Sequence, residues 1–508
     1  MKKYDLCVLG AGPAGYAAAM RAIDLHKKVL LVERERIGGT GIYNGALSSK
    51  TFWEISKGIA EAHRKLSKYS DSETPLKNLN FKDILHDVSE AIFLRKIQLE
   101  THLLLLQRKK KDLIEFVKAT GKLTSRNEVL LTKPDGSEET ITADNIIIAT
   151  GSRPRKLSHI PIDEQIIVTS DGIERFQEFP ESMVILGAGV IGCEWATIFS
   201  NFGKTKVNII DKAPRILPFE DEDISYTIEE SMEENGVTIH RESKLERMEI
   251  VNGKVEYELV YNNSDRKVFT VEKALVSVGR IPNIENLGLE ELDIKLNNGG
   301  IAYDAKTLHT INNIHSVGDV TADFALANVA ELEGRYAVEK MFGLEPKPIN
   351  YKNLSTIMFL YPETAGVGIN EQEAKKRGLS YKIVSLDYSL IPRAIAMRST
   401  KGFFKILVTN DEHMKILGMR AVGEHASSAI QAVALLISMD KGIEELAELI
   451  HPHPSIIEGI QECVRMLKGK SILKPEIFKD TLKCKSVDKQ GNCYDIISPD
   501  QPCERHIV

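Results

Sequence analysis

The sequence predicts an α/β fold, and three observations carry that prediction. A glycine-rich turn, Gly10-Ala11-Gly12-Pro13-Ala14-Gly15, stands between a short apolar run and a helical stretch. A second turn, Gly187-Ala188-Gly189-Val190-Ile191-Gly192, repeats the arrangement. The chain, at 508 residues, is too long for a single hydrophobic core, so about three domains are expected.

The elements follow in order. Tyr4 to Leu9 reads as a buried strand, Gly12 to Leu25 as a helix and Lys28 to Val32 as a second strand, which together make a βαβ unit. Met183 to Leu186, the helix opened by Gly189, and Lys206 to Ile210 repeat that unit about a domain's length later. Between the two, a helical insertion is predicted from Ser48 to about Lys118, broken by polar residues around Ser70 to Leu79. Strand signals then lead to Asn145 to Ala149. Pro154 marks a crossover into a second domain, and Ala274 to Gly279 the return to the first. A third block of strands and helices starts near residue 351, and from Lys474 onward the apolar periodicity fades into a tail.

Composition narrows the function classes. Hydrophobic residues make up 43% and charged residues 27%, so the chain is globular and neither disordered nor collagen-like. The longest apolar run, near Ala432 to Met439, falls far short of the ~18 to 20 residues of a spanning helix. The first strand begins directly after Met1-Lys2-Lys3, which leaves no room for a cleavable leader; a cytoplasmic location is expected. A net charge of -6 offers nucleic acid no general attraction, and Arg108 to Lys111 reads as a solvated helix end. Six cysteines in such a length make no disulfide framework, and Cys7 and Cys193 read as small apolar fillers.

Each glycine turn has a physical use. Between a strand and a helix, glycines allow a tight turn and let the backbone approach a pyrophosphate at the helix N-terminus. Glu33, at the end of the second strand, is placed to accept hydrogen bonds from an adenosine ribose. Asp211 holds the matching place in the second unit, where an acid disfavours a 2′-phosphate. Two dinucleotides are therefore expected on two Rossmann-like domains, the second being NAD(H); Lys212 and Arg215 lie close enough that NADP(H) stays open.

Further segments extend the pattern: Ala149-Thr150-Gly151-Ser152-Arg153-Pro154, Val278-Gly279-Arg280-Ile281-Pro282-Asn283, Ser316-Val317-Gly318-Asp319, and His453-Pro454 followed by Glu458. With them the sequence resembles the pyridine nucleotide-disulfide oxidoreductases over residues 1 to about 470. The resemblance implies FAD and NAD(H) as cofactors, a homodimer, and a C-terminal α+β dimerisation domain. It implies an FAD-binding domain over 1–153 and 275–350, an NAD(P)-binding domain over 154–274, an interface domain over 351–473 and a tail over 474–508.

Site residues carried over by the same resemblance are Gly39, Thr40, Gly121, Thr150, Gly151, Ser152 and Gly279 at the cofactors, with Ala325, Leu326 and Ala327 as flavin contacts. Asp319 takes the role of holding the FAD ribitol. Lys50 matches the lysine beside the flavin and Glu194 the glutamate that pairs with it, a cation and its anchor for charge on the reduced ring. His453 and Glu458 match a histidine base and its orienting carboxylate, which in the family reach the partner subunit's active site. No metal is expected, the His451-x-His453 pattern lacking further ligands.

One departure bears on the chemistry. The family pattern is Gly-Gly-Thr-Cys, four residues, Cys, then Pro-Ser-Lys; this chain reads Gly38-Gly39-Thr40-Gly41-Ile42-Tyr43-Asn44-Gly45-Ala46-Leu47-Ser48-Ser49-Lys50. Gly41 and Ala46 cannot form a disulfide or a thiolate beside the flavin. Two lost sulfurs are expected to open space against the flavin for another acceptor, such as a quinone or a second nicotinamide. The expected function is an FAD-dependent NAD(P)H oxidoreductase passing hydride to an unidentified acceptor. Alternatives are dihydrolipoyl dehydrogenase-like activity, with the tail cysteines Cys484, Cys493 and Cys503 as substitutes; soluble transhydrogenase-like activity; and an FAD-binding pseudoenzyme acting as a regulatory subunit, for instance in a 2-oxo acid dehydrogenase complex. For the tail, unstructured free thiols are the expectation.

Overall fold

The computed structural model describes residues 2–69, 78–262 and 264–496. Its contacts divide the chain into two compact units: Met1–Gly187 with Glu246–Glu258 and Val268–Ile349, and Ala188–Leu245 with Leu259–Lys267 and Asn350–Val508.

The first unit is built on a mixed sheet with, among the described residues, eight strands. Its spine runs Ile314–Ser316, Glu138–Ile148, Lys3–Leu9, Val29–Glu33, Ile114–Lys118, all parallel. Such strands are covered on both faces and read as continuous apolar runs, as Leu6, Cys7, Val8, Leu9 and Ile146, Ile147, Ile148 do; all are buried. Lys3–Leu9 sits between its two parallel neighbours, so the crevice beyond its C-terminal end is the topological switch point where open α/β sheets bind ligands. The helix Pro13–Asp24 starts there and packs against Ala327–Met341. The two helices touch backbone to backbone, since a Cβ on Gly334 would lie 2.2 Å from the Ala14 carbonyl oxygen.

The helical insertion is shorter than the sequence suggests. Helices Ala46–Leu66 and Phe81–Lys109 form, but the chain then turns, and Ile114–Lys118 is a strand paired with Val29–Glu33. Helix and strand readings compete in a run that mixes charge with Ile114, Phe116 and Val117, and sheet pairing decides it. Of the polar break expected around Ser70 to Leu79, residues 70–77 lie outside the described residues. The first unit also holds Ser182–Leu186 and Ile167–Val168, both parallel to Lys273–Val276.

In the second unit, the helix Val190–Phe202 is buried through most of its length, and Lys206–Ile210 pairs in parallel with Thr238–His240. Residues from 350 onward form an antiparallel sheet in the order Ser355–Met358, Thr364–Gly368, Ile416–Val422, Phe403–Thr409, Tyr381–Asp387, Leu482–Val487, Cys493–Asp495. Helices Gln431–Ser438 and Glu458–Leu467 cover it over a core that includes Phe404, Ile406, Val433 and Ile460.

The expected tail is thus partly sheet. Leu482–Val487 pairs antiparallel with Tyr381–Asp387, with Val384 opposite Cys484. Leu482, Cys484 and Val487 are buried while Lys483 and Lys485 lie between them, an alternation too short to stand out against the polar residues around it. Nor are the tail cysteines a set of unstructured free thiols: Cys484 is buried and Cys493 is disulfide-bonded. Cys503 and His506 lie outside the described residues. No helix among the described residues is long and apolar enough to cross a membrane.

Candidate active site

The first glycine turn is closed by packing that only glycine permits. Gly10 has φ +108°, and a Cβ there would stand 2.3 Å from the Ala149 carbonyl oxygen. Gly12 opens the helix with no side-chain cap, and a Cβ on it would meet nothing within 4 Å. An uncapped helix N-terminus facing open space, with Pro13, Ala14 and Gly15 in its first turn, suits an anion and fits a dinucleotide pyrophosphate. Glu33 folds back onto this turn: its Oε2 accepts from the Ala11 N–H at 2.8 Å and its Oε1 from the Glu35 N–H at 2.7 Å. Gly39, Thr40 and Gly41 form a short 3-10 turn, and a Cβ on Gly39 would lie 3.3 Å from Gly12 Cα. Gly121 packs elsewhere, under Leu9, where a Cβ would meet Leu9 Cδ2 at 2.6 Å.

The sequence segments around Thr150, Gly279 and Asp319 are brought together. The Thr150 hydroxyl donates to the Asn283 carbonyl at 2.7 Å, and the Asn283 N–H to the Gly151 carbonyl at 2.9 Å. The Ser152 hydroxyl donates to Asp319 Oδ2 at 2.6 Å. Arg280 Nε donates in turn to Ser152 Oγ at 2.8 Å, and its guanidinium to the Ser152 carbonyl at 2.8 Å. Sequence reasoning assigned Arg280 no role; its place directly after Gly279 in a motif that folds onto Ser152 was the available signal. Asp319 lies in the Gly318–Thr321 turn, and Ala325, Leu326 and Ala327 lead into and open the Ala327–Met341 helix.

The segment before Lys50 is tightly closed. A Cβ on Gly41 would stand 2.8 Å from Pro13 Cγ, and one on Gly45 would stand 2.3 Å from the Thr40 carbonyl oxygen. Tyr43 is buried, with the Arg36 guanidinium 4.2 Å from its ring centre and its hydroxyl oxygen without a hydrogen-bond partner among the described residues. The space expected from missing side chains is therefore not open at position 41, where the Pro13 ring fills it. Ala46 is exposed at the start of the Ala46–Leu66 helix, and Lys50, one turn on, donates to Ser49 Oγ at 3.3 Å.

In the second fingerprint, Gly187 has φ +104° in the first unit. In the second unit Gly189 opens the Val190–Phe202 helix without a side-chain cap, and a Cβ there too would meet nothing within 4 Å. Val190, Ile191 and Gly192 form its first turn. Asp211 accepts from the Ala188 N–H at 2.7 Å and the Ala213 N–H at 2.9 Å, the same device as Glu33. Arg215 is turned away into its own loop, bonding Ser225 Oγ at 2.5 Å and the carbonyls of Leu217 and Pro218. Glu194 is buried at 6% exposure, and its Oε1 accepts from the Phe359 N–H at 3.0 Å.

His453 and Glu458 meet within the second unit. His453 Nδ1 and Glu458 Oε1 are 2.7 Å apart, and Glu458 Oε2 accepts from the Ser455 N–H at 2.8 Å. Burial would raise the Glu458 carboxyl, but the Ser455 N–H and His453 together hold it below its ordinary range. The His453 side chain is 68% exposed, free to face another chain. At His451, burial pushes the pKa down. Cys484 has its thiol pushed up to about 12 by burial, which keeps it from acting as a thiolate.

Comparison with known proteins names the arrangement. The profile for pyridine nucleotide-disulphide oxidoreductases matches residues 4–334, and that for their dimerisation domain matches residues 354–464. The chain belongs to the pyridine nucleotide-disulphide oxidoreductase family. Members named dihydrolipoyl dehydrogenase are similar along nearly the whole length: that of Bacillus subtilis is 32% identical over 480 residues, 92% of this chain and 99% of the relative. That of Geobacillus stearothermophilus is 33% identical over 475 residues, 92% of this chain and 97% of the relative. The fold is shared with LpdA from Mycobacterium tuberculosis, at a TM-score of 0.83 and 24% identity over 92% of this chain and 100% of that one. It is shared too with the HOCl-induced flavoprotein disulfide reductase RclA from Escherichia coli, at 0.79 and 24% over 91% and 100%. As a pyridine nucleotide-disulphide oxidoreductase the chain is an α/β flavoenzyme using FAD and NAD(H), with a C-terminal dimerisation domain.

Proposed function

We propose that this oxidoreductase is a cytoplasmic homodimer that prefers NADH and delivers its electrons to an acceptor without an active-site disulfide. The observation that carries the reading is Gly41, a residue without a sulfur whose backbone lies so close to Pro13 that even a Cβ would collide. The sequence has no cysteine between Cys7 and Cys193, so no thiol pair stands in the segment leading to Lys50.

FAD, when bound, supplies a ring able to take a hydride from a nicotinamide and release two electrons to an acceptor. The residues divide the work of holding and balancing it. Gly10, Gly12 and the N-terminus of Pro13–Asp24 receive the pyrophosphate, Glu33 the adenosine ribose, and Asp319 the ribitol. Ser152, donating to Asp319, fixes which carboxylate oxygen remains to accept. Lys50 balances negative charge on the reduced ring, and the Glu194 carboxylate, matched in the family to a catalytic role, is oriented by the Phe359 N–H.

On the nicotinamide side, Gly187, Gly189 and the helix that follows receive the second pyrophosphate. Asp211 accepts from the ribose, and Arg215, which turns toward Ser225 and the carbonyls of Leu217 and Pro218, supports NADH over NADPH. His453, its tautomer set by Glu458, moves a proton at the acceptor bound by the partner subunit.

Anaerobic titration of the purified yellow protein with NADH tests the reading. Complete reduction at about one equivalent per flavin is expected, because no disulfide beside the flavin stores a second pair. The second reading is dithiol chemistry of the dihydrolipoyl dehydrogenase kind, favoured by the names of the relatives. It requires another disulfide, and Cys493 is in one. Uptake of a second equivalent, abolished by Cys493→Ser, selects it and overturns the first.

A further inference from the structure

A polar cavity of about 470 Å³ opens in the first unit beside the strands His309–Ile311 and Ile314–Ser316. Its lining includes Asn145, Thr307, His309, Asn313, His315 and Lys340. Lys340 stands at the last turn of the Ala327–Met341 helix, whose other end is entered through the residues assigned to the flavin. At 15 residues that helix puts roughly 20 Å between its two ends, so the cavity has no part in the hydride chemistry.

Two imidazoles dominate it. His309 and His315 sit opposite each other on the antiparallel strands, with ring centres 5.3 Å apart and ring planes at 75°. His309 Nε2 meets the Asn312 carbonyl oxygen, so this nitrogen carries the proton and Nδ1 keeps a lone pair. His315 is buried at 7% exposure, and its Nδ1 has no hydrogen-bond partner among the described residues.

Apart from the Lys340 ammonium, several lining groups spend hydrogens on partners within the protein. An amide hydrogen of Asn145 goes to the Asp5 carbonyl at 3.2 Å, and those of Asn313 go to the carbonyls of Arg126 at 2.9 Å and Asp144 at 2.7 Å. The Thr307 hydroxyl donates to Asp304 Oδ1 at 2.8 Å. The Lys340 ammonium is matched by Glu345 at 3.2 Å. The C-terminal end of a helix lies alongside, where the peptide dipoles favour positive charge. Amide and hydroxyl groups whose hydrogens are bonded within the protein and whose lone pairs remain suit a cation.

We propose that His309 and His315 bind a borderline divalent cation of the zinc, nickel or copper kind, with water and neighbouring oxygens completing its shell. The spacing agrees. With metal–nitrogen bonds of about 2.0–2.1 Å and a tetrahedral angle, two coordinating imidazoles place their centres roughly 5 Å apart. A backbone carbonyl that takes the distal N–H of one ring, as Asn312 does for His309, is the usual way such a ligand is oriented. Hard cations such as magnesium are disfavoured by imidazole nitrogens.

The test uses the flavin-loaded protein, dialysed against zinc chloride, washed free of excess and counted for zinc per chain. Wild type is expected to hold one equivalent more than a His309→Gln/His315→Gln variant. His453→Gln is expected to keep the wild-type count, which separates this site from the exposed histidine at the other end of the chain. Copper(II) in place of zinc should give a spin-resonance signal with nitrogen coupling in wild type and none from this site in the double variant. If burial makes the His315 substitution unfold the protein, His309→Gln alone decides the matter, since it lies nearer the surface. Equal zinc counts in wild type and the folded variant overturn the proposal.

Discussion

Gly41 shows how closely one residue can be packed in its turn. A Cβ on it would stand 2.8 Å from Pro13 Cγ, so a side chain cannot be restored without moving either the proline or the turn that would receive the pyrophosphate. A Gly41→Cys/Ala46→Cys variant is therefore expected to lose flavin rather than regain a dithiol. The measurement is flavin absorbance per chain after gel filtration, expected to fall severalfold, with no long-wavelength charge-transfer band in the fraction that remains. Full flavin occupancy with such a band would mean that the loop reopens easily and that the absence of sulfur is incidental. The turns and strand ends that carry the proposed nucleotide-binding residues were legible in the sequence, because glycines at turns and acids at strand ends leave a pattern in one dimension. The link from Arg280 through Ser152 to Asp319 was not, because it depends on segments far apart in the chain folding onto one another.

At the scale of elements, the second unit is knit by a buried ammonium. Lys405, on Phe403–Thr409, is only 4% exposed and lies 3.1 Å from Asp221, 2.9 Å from Asp223 and 2.9 Å from Glu371. Asp221 and Asp223 stand at the start of the Glu222–Glu234 helix, so one cation ties that helix to the antiparallel sheet. Arg420, on the neighbouring strand, repeats the tie to Glu220 at 2.8 Å. Lys405→Met leaves these carboxylates facing one another without a counter-charge and is expected to cost about 3–5 kcal/mol of stability. The urea midpoint of the purified variant measures this; a shift within error of zero would show that water reaches the cluster. None of it could be read from the sequence, where a lysine in a strand looks like an exposed one. The strand Leu482–Val487 was hidden for a related reason: its alternation of apolar and lysine residues gains meaning only beside Tyr381–Asp387.

For the whole molecule, the same cluster sets an acid limit. Burial alone would raise Glu371, but Lys405 and Lys375 hold it down to about 2, against an ordinary value of 4.5. A carboxylate whose folded pKa is depressed stabilises the fold in full above its unfolded pKa, and that stabilisation drains away as the pH falls toward the folded value. Asp221, which burial pushes upward against the pull of Lys405, works in the opposite sense but does not remove the Glu371 contribution. Between about pH 5 and pH 2, wild type should therefore lose its advantage over Glu371→Gln, a narrowing seen by denaturant melts at each pH. A gap that stays constant over that range would detach Glu371 from the acid response. The fold class and the paired nucleotide units were legible from the two glycine turns. The division into two compact units was not, because it depends on which strands of the middle region join which neighbours.

The contact between Gly334 and the Ala14 carbonyl carries a last consequence. The helix that presents the first nucleotide turn rests directly on a second helix drawn from the far part of the chain, with hydrogen atoms alone between their main chains. Descendants of this sequence are at liberty to redraw most of their surface, yet even the smallest chiral residue at 334 would lever the two rods apart and tilt the cradle they share.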